Sequence, residues 1–529
     1  MKVRMLNSRE PQDVFSKQVP KNLITNILYF IVNLASGLFL VPYFINSLGV
    51  ASYAMIPLAT SFTAYVNLIM VSLNTSVSRP ITIELQKKEF KKANVTFNTA
   101  LFGTLGIILL MFPVVVLLSY YSPSFFEVPS NQENTTRLLF LGVLSAFLLR
   151  AWGSNFGVSI FAYNRLDFLN IINAINILVQ VGLIVLLFKL YSPNLAYIGL
   201  AYLIAAIIAF ALTVFFSCRI NPHLKINIKD FCRSKVKEIS GMAGWVIISQ
   251  IGSLLFLQID LIIVTKLFGT LAGGEYSIAF TWSSMLRTIA GVFINILTPV
   301  ILNYYIRGRI EDLISLSKSA IKLTGFALAL PIGFICGFAP QLLSLWVGPE
   351  FVKLSPLMLI MLSHLAINLP VMLLFDINVA YNKVRVPGIV TFCMGIGNFL
   401  LEIMLPLLTG WGYYGVAIAG AIVLTLKNAL FIPWYATKVL GIPRTTFVSS
   451  MLPGFLAVFI IAGSCRFINF FVPISGFGAL IISGIAVTIV YIGSIWTFTK
   501  GNAEYQMVMS MIPSAIKHRL KLNIKSSTK

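Results

Sequence analysis

The chain has 529 residues, 58% hydrophobic and only 11% charged, a balance that excludes a large soluble enzyme. Its net charge of +22 would suggest nucleic acid in a soluble protein. Here the charge lies on short loops between apolar stretches, where anionic lipid head groups are its partners, and no nucleic acid is expected.

Fourteen apolar stretches follow in order, at about 22–45, 53–77, 95–119, 137–161, 169–191, 196–217, 241–267, 274–300, 319–341, 355–381, 387–409, 413–437, 446–470 and 475–498. Each is about 20 residues or more, enough to cross the roughly 30 Å hydrocarbon layer as a helix. Of the 39 Lys and Arg, thirty-one fall in the two tails and around the loops after even-numbered stretches. Five lie at the opposite ends: Arg137, Lys189, Lys266, Lys353 and Arg466. Cytoplasmic loops hold positive charge, so both termini are expected in the cytoplasm. The polar, basic residues 1–21 precede a first stretch too long for the apolar core of a signal peptide, and it reads as a signal anchor. The five cysteines (Cys218, Cys232, Cys336, Cys393, Cys465) have no paired spacing, so neither disulfides nor zinc are expected. His364 lies inside the tenth stretch, where an internal hydrogen bond is preferred over a proton relay.

The longest loop, Cys218 to Ser240, carries six Lys/Arg and divides the first six stretches from the next six. The halves repeat. Ala162-Tyr163-Asn164-Arg165-Leu166 returns as Ala380-Tyr381-Asn382-Lys383-Val384 at an offset of 218. Leu48-Gly49 with Tyr53 returns as Phe268-Gly269 with Tyr276, and Ile198-Gly199-Leu200-Ala201 as Tyr414-Gly415-Val416-Ala417. The expected organisation is a tail (1–21), an N-lobe (22–217), a basic linker (218–240), a C-lobe (241–437), an added helix pair (446–498) and a basic tail (499–529). The fold class is all-α and polytopic, with fourteen transmembrane helices. An even number of spans per unit makes the two six-helix lobes parallel, and substrate then binds between lobes near mid-membrane. The added pair reads as packing, partner contact or a groove for a lipid tail. The mixed-charge segments 79–92 and 306–318 read as amphipathic pieces along the interface.

Three basic residues remain inside stretches: Arg150, Arg287 and Lys427. Each would cost roughly 2.5–3.5 kcal/mol facing lipid at the bilayer centre. They therefore face a water-filled cavity that receives an anionic substrate, or pair with internal acids. Arg suits phosphate, which it can hold through forked hydrogen bonds. The acids at hand are Asp260, Glu402 and Asp376, candidates for ion coupling or for salt bridges. Asn295 and Pro299, one turn apart in a repeated segment, form the hinge candidate. No GxxxxGK[ST] loop, no HExxH and no outer loop beyond about 17 residues is present. An enzyme is therefore not expected, and no catalytic residue, metal or cofactor is assigned.

Several of these segments resemble one family. Val41-Pro42-Tyr43 and Leu48-Gly49 resemble the first helix and turn of the polysaccharide transporter group within the multidrug/oligosaccharidyl-lipid/polysaccharide exporter superfamily. Tyr53-Ala54 departs from that group's usual Tyr-Gly. The run from Asn74 to Glu84, Asn164-Arg165-Leu166-Asp167, Asn382 to Gly388, and Thr425-Leu426-Lys427-Asn428-Ala429 are similar to its other signatures. The resemblance covers the first twelve stretches. It implies two six-helix bundles in a V, two extra helices and a place in the bacterial cytoplasmic membrane. The implied substrate is an undecaprenyl-diphosphate-linked oligosaccharide, flipped to the outer leaflet by alternating access for capsule, O-antigen or exopolysaccharide synthesis. Membrane lipids and a polysaccharide polymerase or export complex are the implied partners. The competing readings are a peptidoglycan-precursor flippase, a cation-coupled drug exporter of the same superfamily and, from another class, a membrane-embedded glycan polymerase or ligase.

Overall fold

The computed structural model describes residues 11–236, 251–256 and 258–499. Side chains are described for all of these except 11–17, 19, 66–76, 79, 295, 296, 299, 498 and 499. Lipid offers the backbone no hydrogen bonds, so long apolar runs must satisfy their own amides, and helices result. The helices of the first half are α1 (Pro11–Leu48), α2 (Val50–Gln86), α3 (Phe90–Phe125), α4 (Glu133–Ala162), α5 (Leu166–Leu190) and α6 (Leu195–Ile220). Next comes α7 (Ile259–Ile306), two helical arms joined at a non-helical Gly269, and then α8 (Ile310–Gly337). Short elements follow: α9 (Ala339–Trp346), α10 (Ser355–Ser363), α11 (Leu365–Asn368) and α12 (Leu374–Ala380). The chain continues as α13 (Arg385–Thr409), α14 (Tyr413–Thr425), α15 (Ile432–Leu440), α16 (Val448–Phe471) and α17 (Phe477–Thr499).

Among the described residues twelve helical segments are long and apolar enough to cross a membrane. They account for every predicted stretch except the second and the seventh. The second stretch is helical within α2, whose 37 residues rise about 55 Å. The seventh lies partly outside the described residues, and its remainder, 251–256 and 259–267, is helical. The protein is an all-α polytopic membrane protein. Of the basic residues at the minority ends, two are neutralised locally: Lys266 pairs with Glu127 at 2.8 Å and Arg137 with Glu133 at 3.0 Å.

The backbone carries the repeat. Gly49 (φ 80, ψ 162) and Gly269 (φ 86, ψ 171) share one extended, left-handed conformation 220 residues apart. Lys88 (φ 59) and Gly308 (φ 66) are also 220 apart, and Asn164 (φ 55) and Asn382 (φ 54) are 218 apart. Each Asn closes its helix with the same pair of bonds. Arg165 N donates to Ile160 O and Asn164 N to Phe161 O; Lys383 N donates to Asn378 O and Asn382 N to Val379 O. Asn tolerates this conformation better than other residues with a Cβ, so a helix stop was written twice with the same letter.

The chain forms two compact units, Met1–Ile278 with Thr391–Met404, and Ala279–Val390 with Leu405–Lys529. The first contains a core of Val77, Ile81, Ala93, Ala100 and Leu101 among others; the second contains Leu297, Ile301, Leu313, Ala320 and Ile321. Adding 220 to each number of the first set gives the second. In the second unit, α16 lies on α8 along a row of glycines. A Cβ on Gly325 would sit 3.3 Å from Gly454 Cα, one on Gly333 would sit 2.7 Å from Ile461 Cβ, and one on Gly337 2.5 Å from Cys465 Cβ. Close approach of this kind replaces the hydrophobic drive that is lost between helices in lipid.

Three expectations change in detail. Segments 79–92 and 306–318 belong to longer helices: α2 runs unbroken through Pro80 to Gln86 before α3 starts at Phe90, and α7 runs to Ile306 before α8 starts at Ile310. The tenth stretch is interrupted twice, at His364 and around a 3₁₀ turn over Pro370–Leu373, where Pro370 has no N–H to continue the ladder. The twelfth holds a π-helical turn, Leu426–Phe431, which precedes Pro433. Because Pro433 cannot donate to the preceding turn, that turn widens to i→i+5 bonding.

Candidate functional site

In the second unit, the two irregular helices carry half-buried basic side chains. Lys427 sits in the π turn and His364 at the interruption between α10 and α11. Arg287 projects from the second arm of α7, where its Nε lies 3.3 Å from Ser283 Oγ. The guanidinium is close enough to act electrostatically on both His364 and Lys427. The sequence alone left open whether Arg287 and Lys427 meet; the structure brings them into one neighbourhood. His364 Nδ1 lies 2.9 Å from Asn368 Nδ2, the internal bond expected for it. The Asn368 amide also donates to Thr425 Oγ1 at 2.9 Å, and Asn428 Nδ2 donates to the Asn368 carbonyl at 3.3 Å. These amides tie the interrupted helix to the π turn, so neither irregularity leaves its geometry to chance. π turns recur at functional sites because they re-aim side chains that a regular helix would keep in register.

Arg150 belongs to the first unit. It leaves α4 and donates from Nη2 to Asn173 Oδ1 of α5 at 2.9 Å, with Tyr29 of α1 also nearby. The same side chain opens on a cavity of about 300 Å³, whose polar lining includes Ser78, Ser154, Asn173 and Thr213. Among the described residues its polar neighbours are neutral donors and acceptors. Arg150 therefore combines a hydrogen bond to a neutral amide with a place on a cavity wall.

The first unit also brings two acids together. Asp260 lies in the first arm of α7 and Glu402 on α13, and their carboxyl groups are within hydrogen-bonding reach of one another. Tyr276 Oη donates to Asp260 Oδ2 at 3.1 Å, and Asn398 Nδ2 donates both to Glu402 Oε1 and, at 2.9 Å, to Leu255 O. Tyr65 of α2 is close enough to feel both carboxyls. Glu402 and Asn398 are fully buried. Thr298 Oγ1 donates to Asp376 Oδ2, which fixes the C-terminal part of α7 to α12. The hinge candidates Asn295 and Pro299 lie outside the residues whose side chains are described.

Sequence reasoning passed over Asn173, Asn368, Asn398 and Tyr65, and named Tyr276 only as a landmark of the repeat. A signal existed for two of them. His364 and Asn368, like Asn398 and Glu402, stand four apart on one helix face, the spacing at which side chains meet. Asn155 donates to Trp152 O of its own helix at 2.9 Å.

No family model matches the chain. Membrane protein EpsK of Bacillus subtilis (strain 168) is 30% identical over 488 residues, 92% of this chain and 97% of EpsK. A Shigella flexneri protein with the provisional name O-antigen transporter is 21% identical over 430 residues, 80% of this chain and 98% of its own. Among solved structures, a multidrug resistance MATE family transporter of the MOP superfamily in an inward-facing conformation superposes with a TM-score of 0.62 at 14% identity, covering 79% of this chain and 98% of its own. Lipid II flippase MurJ in an inward closed conformation gives 0.60 at 17% identity, with 89% and 99% covered. At these identities the likeness of the structures is one of fold.

Proposed function

Because the chain belongs to the polysaccharide transporter family of the multidrug/oligosaccharidyl-lipid/polysaccharide exporter superfamily, we propose that it flips an undecaprenyl-diphosphate-linked oligosaccharide from the cytoplasmic to the outer leaflet of a bacterial membrane. Both termini face the cytoplasm in this reading, as the loop charges require. The observation that carries it is the gathering of Arg287, Lys427 and His364 on a π turn, an interrupted helix and a neighbouring helix. A diphosphate moving through a low-dielectric layer loses its hydration, and fixed cations offset much of that cost. Sugars and diphosphate pass through the protein while the polyprenyl tail stays in lipid.

Arg150, on its cavity in the other unit, serves as a further station for the phosphates or for sugar hydroxyls. The Asp260–Glu402 pair supplies the means of coupling. Two carboxyls so close repel each other unless a proton or a cation is shared between them, and the loss of that charge changes the packing of α7 against α13. The name of the Shigella relative favours a glycan repeat unit over a drug as cargo.

The test uses purified protein in proteoliposomes with a fluorescent undecaprenyl-diphosphate glycan. Arg287→Ala and Lys427→Ala should each lower protected transfer to the opposite leaflet by about ten-fold or more. Transfer at the parental rate by both variants would refute the assignment. Transfer of lipid II but of no other glycan would favour the peptidoglycan-precursor reading.

A further inference from the structure

The loop after α6 is held by a ladder of side chains on the inner end of α3. Asn94 Nδ2 donates to His223 O at 2.8 Å and its Oδ1 accepts from Lys225 N at 2.8 Å. One turn on, Asn98 repeats the pattern, donating to Lys225 O at 2.8 Å and accepting from Asn227 N at 2.9 Å. Thr99 Oγ1 then accepts from Cys232 N at 3.0 Å, and Phe90 stacks on His223 with centroids 4.2 Å apart. Two amides thus bind an extended backbone as a neighbouring strand would. A loop held by five side-chain bonds cannot fold back to bury its own apolar residues.

What it presents is unusual for a water-facing loop. Ile226 is 57% exposed, Ile228 68% and Phe231 42%. Exposed Lys225, Lys229 and Arg233 alternate with them. Of the nearby acids, Asp230 stands within the segment, while Glu84 is taken by Thr96 at 3.1 Å and Lys235 at 3.8 Å.

The depth of the clamp supplies the second argument. In α3, residues 90–99 are largely polar and an apolar run begins at Ala100. Asn94 to Thr99 covers about 7.5 Å of helix rise. The head-group layer on each side of the hydrocarbon is about 5–8 Å deep. The segment is therefore fastened at head-group depth.

We propose that the clamped segment 223–233 docks on anionic lipid of the inner leaflet, with Ile226, Ile228 and Phe231 at the acyl boundary and Lys225, Lys229 and Arg233 on lipid phosphates. Basic residues beside exposed aliphatics match an anionic membrane surface, which attracts each Lys or Arg about five-fold. The inference rests on the cytoplasmic orientation given above, and not on the identity of the cargo. By this device the linker between the two repeats is referred to the membrane plane.

The experiment places a nitroxide at Ile228→Cys in the full-length protein lacking its five native cysteines, with Glu311→Cys as the aqueous control. In vesicles containing phosphatidylglycerol, collisions at 228 with oxygen should exceed those with a nickel chelate, and the control should show the reverse. The combined variant K225Q/K229Q/R233Q should raise nickel access at 228 by about five-fold or more. Nickel access equal to that of the control overturns the proposal. So does equal protection in phosphatidylcholine alone, which removes the role of charge. Protection in native membranes but not in lipid vesicles overturns it in favour of a protein partner. Labelling of 228 in intact cells by an impermeant maleimide overturns it together with the orientation.

Discussion

Asp260 and Glu402 meet eight and seven residues along the chain from a close contact between Gly252 and Gly395. A Cβ on Gly395 would sit 2.8 Å from Gly252 O, and one on Gly252 2.7 Å from Phe392 N. Glu402 stands seven residues, about two turns, beyond Gly395 on α13, so this contact helps to set where Glu402 meets Asp260. Gly395→Val should part the helices at an overpacking cost of about 1–3 kcal/mol. Glu402→Gln keeps the shape and removes the charge. If the pair couples transport to an ion, this variant should still exchange substrate downhill yet no longer respond to an imposed proton or sodium gradient, as followed by leaflet assay in proteoliposomes.

Arg287 and Lys427 should be separable from Arg150 by their effects. Hydrogen bonds to charged groups contribute about 1.5–3 kcal/mol. Removal of either cation of the second unit should therefore lower flipping by about 10- to 100-fold, with the protein present in the membrane at parental level. Arg150→Gln retains a donor to Asn173 and should cost less than Arg150→Leu, which leaves Asn173 Oδ1 without its guanidinium donor. Equal losses for Gln and Leu would show that charge alone matters at this position.

Gly274 packs tightly against the start of α2. A Cβ there would stand 2.3 Å from Val50 O and 2.6 Å from Val50 Cγ1, and Ala54 one turn along α2 is wholly buried. Gly274→Val should force the starts of α2 and α7's second arm apart. An impermeant maleimide should then label Ala54→Cys, which is protected in the parent. Protection unchanged in the double variant would mean that the contact gives way elsewhere.

Cys232 should be the most reactive thiol. Its Sγ lies 3.0 Å from Ser234 Oγ. That hydrogen bond, with the backbone amides of Lys235 and Ser234, holds its pKa below the ordinary thiol value. Lowering raises the thiolate fraction at any given pH, so iodoacetamide should modify Cys232 at a lower pH than it modifies an ordinary thiol. Ser234→Ala should move the inflection upward, as read by mass spectrometry of the alkylated peptides.

Much of the architecture was legible because lipid imposes so few solutions. Apolar length, the basic loops and the repeated Asn164 and Asn382 stops each follow from one physical demand. Lys427 was visible as a cation in a helix, but its π turn was not, since it depends on how Pro433 and the neighbouring Asn428 bond share the local backbone. The acid pair was hidden for another reason. Its partners lie 142 residues apart on segments that meet at two glycines, and no periodicity within either stretch reveals that contact. Arg150 was read from its cost in lipid alone, which says that it needs company but not that the company is Asn173.

The glycine row on α8 has a consequence for how this molecule tolerates truncation. Gly325, Gly333 and Gly337 are covered by Gly454, Ile461 and Cys465 of α16. A polypeptide ending after Leu440 would leave a furrow of bare backbone that acyl chains fill poorly. The last two helices therefore act as a keel for the half to which they are joined, and evolution could not shed them without re-facing α8 with larger side chains.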